Sequence, residues 1–220
     1  MSVVVVAAHP DDEILGAGAT LAGHVRSGME VHAVILAEGA TSRYDDGMAK
    51  QLQKAGMRAA EQIGFASIRF ENLPDQRLDH VPMIEVTQLV EDILDQLRPE
   101  IVYTHFPDDV NLDHGVVARA TWTACRPYRQ PGLRRFAVFE TPSSTEWAWP
   151  LDGRAFRPNL FVDVSSTLDI KLAAMECYDI ELRDYPHPRS IRALTERAAT
   201  WGAVIGSRFA EPFVLLREVS

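Results

Sequence analysis

Val3-Val4-Val5-Val6-Ala7-Ala8-His9-Pro10-Asp11-Asp12-Glu13 is the stretch that sets the fold of this 220-residue chain. Four β-branched residues in succession describe a short strand buried on both faces, as in parallel sheets. Such a strand ends in a tight polar turn, and here the turn holds one imidazole and three carboxylates within five positions. Charge at the mouth of an apolar element is costly unless something compensates it. A divalent cation would. Each residue taken singly has an ordinary structural role. Pro10 can shape the turn, Asp11 or Asp12 can cap the next helix, Glu13 suits its first turn, and His9 can be a satisfied polar residue. A cap, however, needs one Asp rather than two, and no His.

Working outward, strand and helix alternate. Strands are expected at 3–8, 30–37, 67–72, 101–105 and 135–140, with helices at 12–27, 46–64, 83–97 and 112–126 between them. Pro99 stops the helix before Ile101. Strand–helix–strand units with right-handed crossovers imply an α/β fold: a single-domain, Rossmann-like, doubly wound, mostly parallel sheet with helices on both faces. After Thr141 the pattern becomes irregular around Trp147 and Trp149, then gives helices near 167–183 and 190–205 and a last strand near 213–216. Residues 1–220 therefore read as one domain, with 1–140 the core and 141–220 a part of the same domain that shapes substrate choice.

A second strand discharges into an acidic loop in the same way. Glu100-Ile101-Val102-Tyr103 runs into Thr104-His105-Phe106-Pro107-Asp108-Asp109-Val110-Asn111-Leu112-Asp113-His114. In an open parallel sheet the strand C-terminal ends share one edge, where ligands bind. The two loops can therefore meet although roughly a hundred residues separate them. His9, Asp12 and His114 then form the N/N/O set that holds one catalytic zinc ion with a coordination position left open. Another divalent metal such as Fe2+ would suit the same donors.

Ala8-His9-Pro10-Asp11-Asp12-Glu13 with Gly16-Ala17-Gly18-Ala19 behind it, and Asn111-Leu112-Asp113-His114, resemble the LmbE-like or GlcNAc-phosphatidylinositol de-N-acetylase family of zinc-dependent N-deacetylases. The resemblance extends through Leu36-Ala37-Glu38-Gly39, Phe139-Glu140-Thr141-Pro142 and Phe161-Val162-Asp163-Val164-Ser165 to Tyr178 and Glu181. It implies that His9, Asp12 and His114 bind zinc and that Asp11 is the general base. It also implies hydrolysis of an N-acetyl amide on an amino sugar or sugar conjugate, or of a thiol-sugar conjugate or other N-acyl small molecule. The chain departs from the family at Asn111, where many members carry a His. An Asn amide donates a hydrogen bond to an oxyanion but transfers no proton at neutral pH. His105, upstream on the same loop, is the candidate to replace the lost imidazole.

Composition bounds the rest. At 46% apolar and 24% charged residues the chain is of ordinary globular type. A net charge of −9 and the lack of a basic stripe argue against nucleic acid and anionic membrane partners. No apolar run is long enough to span a membrane. Met1-Ser2 enters the first strand without a basic region, and Cys125 and Cys177 are isolated, so a cytoplasmic chain with free thiols is expected. Homo-oligomerisation is left open. Gly16-Ala17-Gly18 invites a dinucleotide-binding reading. The fingerprint needs a third glycine where Leu21 stands, and needs its glycines in the turn after the first strand. A non-catalytic sugar-binding protein would have no use for Asp11 beside an open metal site. His24 and His32 read as structural and His80 as a loop residue. Arg43, His187 and Arg189 are the candidate substrate-binding residues, with Glu38, Ser42, Arg77 and Tyr185 near the same edge. The resemblance implies that the small molecule they receive is an N-acetylated sugar, and the Trp147/Trp149 segment would supply a stacking wall or an oligomer contact.

Overall fold

A computed structural model describes residues 1–40, 46–148 and 155–220. The expected positions Ser42, Arg43 and Trp149 lie outside the described residues. The elements follow the expected order: β1 (Ser2–Ala7), α1 (Asp12–Arg26), β2 (Glu30–Ala37), α2 (Asp46–Ile63), β3 (Ser67–Leu73), α3 (Met83–Leu97), β4 (Ile101–His105), α4 (Leu112–Ala124), β5 (Arg135–Phe139), β6 (Leu160–Asp163), α5 (Leu168–Glu176), α6 (Ile191–Ile205) and β7 (Ala210–Glu218).

The seven strands form one sheet in the order β3-β2-β1-β4-β5-β7-β6. The first five are parallel; β7 runs antiparallel to β5, and β6 antiparallel to β7. The side chains of β1 alternate across the sheet as its period dictates. Val3 and Val5 join the core formed with α1, α2 and α5, while Val4 and Val6 join the one formed with α3 and α4. Strand order reverses between β1 and β4, so the crevice at their C-terminal ends is the switch point at which such sheets bind ligands.

Two features fix α1, which starts at Asp12. A Cβ on Gly16 would fall 2.1 Å from the Phe139 ring, so only glycine lets α1 lie this close to β5. The glycines thus serve helix–sheet packing, and no phosphate-binding turn follows β1. Lys171 of α5 donates to the Leu15 carbonyl at 2.8 Å and to Glu211 of β7 at 2.6 Å. Glu211 also accepts from the Ala19 and Thr20 amides at 3.2 and 2.7 Å. This buried ion pair ties α1 to α5 and β7.

Two expectations need correction after Thr141. Residues 167–183 do not form one helix: α5 ends at Glu176, and a series of turns carries Tyr178 into the core. Strand β6 is an addition, only four residues long, formed because β7 offers it a free edge. Among the described residues no helix is long and apolar enough to cross a membrane.

Candidate active site

The turn after β1 is held by its own side chains. Asp12 reaches back so that Oδ2 accepts the His9 amide at 2.9 Å and lies 3.2 Å from His9 Nδ1. Asp11 occupies the residue before α1 but makes no side-chain capping bond, so the cap role open to it in the sequence is not realised. Its backbone sits at φ 111° and ψ −30°, a region non-glycine residues seldom adopt. From the second loop, His114 brings Nε2 to 3.3 Å from Asp12 Oδ2. One ligand atom from each of His9, Asp12 and His114 falls within 4.8 Å of the others, and all three residues are buried.

A carboxylate stands beside each imidazole. Asp113 Oδ2 lies 3.0 Å from His9 Nε2, which leaves Nδ1 turned to Asp12. Asp113 is itself fixed by the Gln76 and Leu78 amides at 2.8 and 3.0 Å. Asp75 Oδ1 stands 3.3 Å from His9 Nε2. Asp109 Oδ2 stands 3.2 Å from His114 Nδ1 and accepts the Thr145 hydroxyl at 2.7 Å. Carboxylate–imidazole pairs of this kind orient metal-binding histidines. Asp75, Asp109 and Asp113 were not singled out by sequence. The signal for Asp75 is the same strand-into-acidic-turn pattern at the end of β3, diluted because that strand is only half-buried and carries charged residues.

The electrostatics match the donor set. Burial alone would depress both imidazoles, but Asp113 and Asp12 raise His9 to about 10, and Asp12 and Asp109 raise His114 to about 9. Burial pushes the Asp12 carboxyl upward, but the neighbouring His114 and His105 outweigh it and hold it well below the usual range. The group favours positive charge at its centre, the charge a divalent ion brings. Two imidazole nitrogens, one carboxylate oxygen and carboxylate-backed rings therefore fit zinc.

A cavity of about 610 Å³ opens over this group. His9, Asp11, Asp12, Asn111 and His114 line it with Trp147, Glu181, His187 and Arg189. Asn111 is the N-cap of α4, its Oδ1 accepting the Asp113 amide at 3.0 Å. Because an amide donor requires the oxygen, the Asn111 NH2 is the edge left free. His105 is placed differently from expectation. It is fully buried behind His114, stacked at 4.0 Å between ring centroids, and does not line the cavity. Its Nε2 accepts the Ala8 amide at 2.8 Å and its Nδ1 meets Thr141 Oγ1 at 3.0 Å. Burial, reinforced by His114, holds this imidazole well below its ordinary value. Thr141 and the β1 turn take up both nitrogens, so the ring makes its contacts behind His114 and away from the cavity wall.

Arg189 and His187 do face the cavity, but Arg189 is engaged. Its Nη1 donates to Glu181 Oε2 at 2.6 Å and to Asp11 Oδ2 at 3.2 Å. His187 Nδ1 accepts the Arg189 amide at 3.1 Å, and its ring packs edge-on against Trp147 at 5.9 Å. Tyr185 lies beneath the Arg192 guanidinium rather than in the cavity wall.

The profile of the family described as GlcNAc-PI de-N-acetylase (PIG-L) matches residues 4–125. The chain is 30% identical over 180 residues to the uncharacterized deacetylase YaiS of Escherichia coli K12, covering 79% of this chain and 88% of that one. It is 28% identical to the 1D-myo-inositol 2-acetamido-2-deoxy-alpha-D-glucopyranoside deacetylase of a Mycobacterium species, over 84% and 75% of the two chains. Among solved structures, the 4-carboxy-2-hydroxymuconate hydratase GalB of Pseudomonas putida superposes with a TM-score of 0.75 at 23% identity, over 100% of this chain and 97% of that one. That last likeness concerns the fold alone.

Proposed function

Since this chain belongs to the GlcNAc-PI de-N-acetylase family, LmbE-like in its motifs, we propose that it is a zinc-dependent N-deacetylase of an N-acetylated amino sugar or sugar conjugate. The observation that carries this reading is the buried His9–Asp12–His114 group at the floor of a cavity that Asp11 also lines. His9, Asp12 and His114 would hold the metal, which when bound lowers the pKa of a water and polarises an acyl carbonyl. Asp11 accepts the proton of the attacking water as a general base. The Asn111 NH2 donates to the oxygen on which charge develops. As the carbon–nitrogen bond breaks, the departing amine takes up a proton. Asn111 has none to give and both His105 nitrogens are engaged, so Asp11 returns the one it removed. Acetate and a free amine leave. Trp147 and His187 offer a surface against which a sugar ring can lie.

The test is an acetate-release screen of N-acetylated sugars, nucleotide sugars and thiol-sugar conjugates with zinc-loaded protein. Release of acetate from at least one sugar, lost when zinc is removed and restored on its return, is the expected result. Equimolar zinc with no acetate from any N-acyl compound would overturn the deacetylase reading. Hydration of an unsaturated hydroxy acid by that same sample would put the chain with the Pseudomonas enzyme instead.

A further inference from the structure

The base in this reading sits in a conformation that its own residue type does not favour. Asp11 is not a glycine, yet its φ is 111°. A non-glycine residue stays at positive φ only where its surroundings over-determine it, and such positions cluster at functional sites. Here the surroundings can be named. The Asp11 amide donates to Glu13 Oε2 at 3.1 Å. The other oxygen of the same carboxylate, Glu13 Oε1, accepts the Tyr178 hydroxyl at 2.6 Å. Both Glu13 and Tyr178 are 0% exposed. Glu13 therefore does more than place negative charge in the first turn of α1. A fully buried carboxylate is costly unless hydrogen-bonded, and one of its donors is the backbone of Asp11.

We propose that Glu13 and Tyr178 are positioning residues for the reaction: the Tyr178 hydroxyl orients the Glu13 carboxylate, which holds the Asp11 peptide in the positive-φ conformation that presents its side chain to the cavity. This rests on the assignment of Asp11 as the base. The Asp11 carboxylate is steadied separately by Arg189, so side chain and backbone are held by different partners. Neither Glu13 nor Tyr178 lines the cavity, so neither touches substrate. Loss of the Tyr178 hydroxyl frees Glu13 Oε1 to turn, and the Asp11 amide then loses its acceptor.

Tyr178→Phe and Glu13→Ala test this, each with zinc content, kcat and KM measured on whichever sugar releases acetate fastest. Zinc should stay equimolar and KM within about two-fold, while kcat falls roughly 10- to 100-fold, the scale of a small misplacement of a reacting group. The deciding comparison is made in the Asp11→Asn background. A residue that acts through the base has nothing left to position there, so Tyr178→Phe should cost little further activity. An equal kcat loss from Tyr178→Phe in both backgrounds would overturn the relay alone. Parent-like kcat in Asp11→Asn itself would overturn the base assignment and the relay with it. A readout free of turnover is the crystal structure of Glu13→Ala, or of Tyr178→Phe if the former does not fold. Asp11 should have moved to negative φ, and Asp11 still at positive φ with its amide unpaired would refute the proposal.

Discussion

Opposed influences set the readiness of Asp11. Burial, together with the Asp12 carboxylate, raises its carboxyl well above the usual range, and the Arg189 guanidinium pulls it back. Asp11→Asn should keep equimolar zinc and lose about 10²–10⁴ in kcat, the range for removal of a general base; stopped assays of acetate beside metal analysis check both. Arg189→Ala removes the influence that lowers the Asp11 carboxyl. The acidic limb of the pH–rate profile should therefore move to higher pH, with kcat falling more than KM changes. From its loop Arg189 reads as a substrate contact, because nothing in the sequence reveals that it meets Asp11 across 178 positions. The imidazoles make a further prediction about metal removal. His9 and His114, raised to about 10 and 9 in the folded chain, bind protons more tightly than in the unfolded chain, where the ordinary value is 6.5. Their contribution to stability is therefore complete below about pH 6.5 and is lost as pH rises through 9 to 10. Chelated protein should show a Tm that declines over that window. Zinc competes with those protons, so loaded protein should decline less. Thermal scans with and without EDTA read the difference, and a flat apo curve would contradict the assignment.

At the scale of elements, the parts that were legible in the sequence are those with local signals. Four valines followed by His-Pro-Asp-Asp specify β1 and its turn, and Pro99 marks the stop before β4. The three residues proposed to hold the metal, His9, Asp12 and His114, are placed by two such strand ends. The parts that were not legible depend on partners distant in the chain. Strand β6 has four residues and exists because β7 pairs with it. The end of α5 carries no glycine or proline to announce it, and the turn that follows is fixed by Tyr178 reaching Glu13. Nor does any pattern reveal that Lys171 and Glu211 meet at α1. Their side chains are 8% and 3% exposed, and breaking such a buried pair leaves a charge uncompensated. Lys171→Met should cost about 3–5 kcal/mol in chemical denaturation. Because α1 begins with Asp12, zinc affinity should also weaken, read by competition with a chromophoric chelator. Unchanged stability would mean that α1 is held by its core packing and the Glu211–amide bonds without the lysine.

For the whole molecule, the parallel part of the sheet, β1 to β5, supplies His9, Asp11, Asp12 and His114, the proposed base and metal-holding residues, and the remainder closes over them. Beside the expected part in substrate choice, residues after Thr141 also support the turn after β1: Arg189 meets Asp11 directly, Glu181 through Arg189, and Tyr178 through Glu13. Periodicity identifies the layers because each strand and helix buries its own face. It is silent about which late loop returns to which early turn, since that is decided by tertiary closure. This bears on how such proteins can be recombined. A crossover at Thr141 looks attractive to a breeder of chimeras, because the His-Pro-Asp-Asp and Asn-Leu-Asp-His motifs both lie before it. Here it would cut Asp11, the proposed base, from its supports. Grafts that import a relative's back half should fail in turnover while binding zinc normally, unless Tyr178, Glu181 and Arg189 are restored together. Parallel measurement of metal content and acetate release across such a library gives the check: active grafts lacking all three would show the supports to be dispensable.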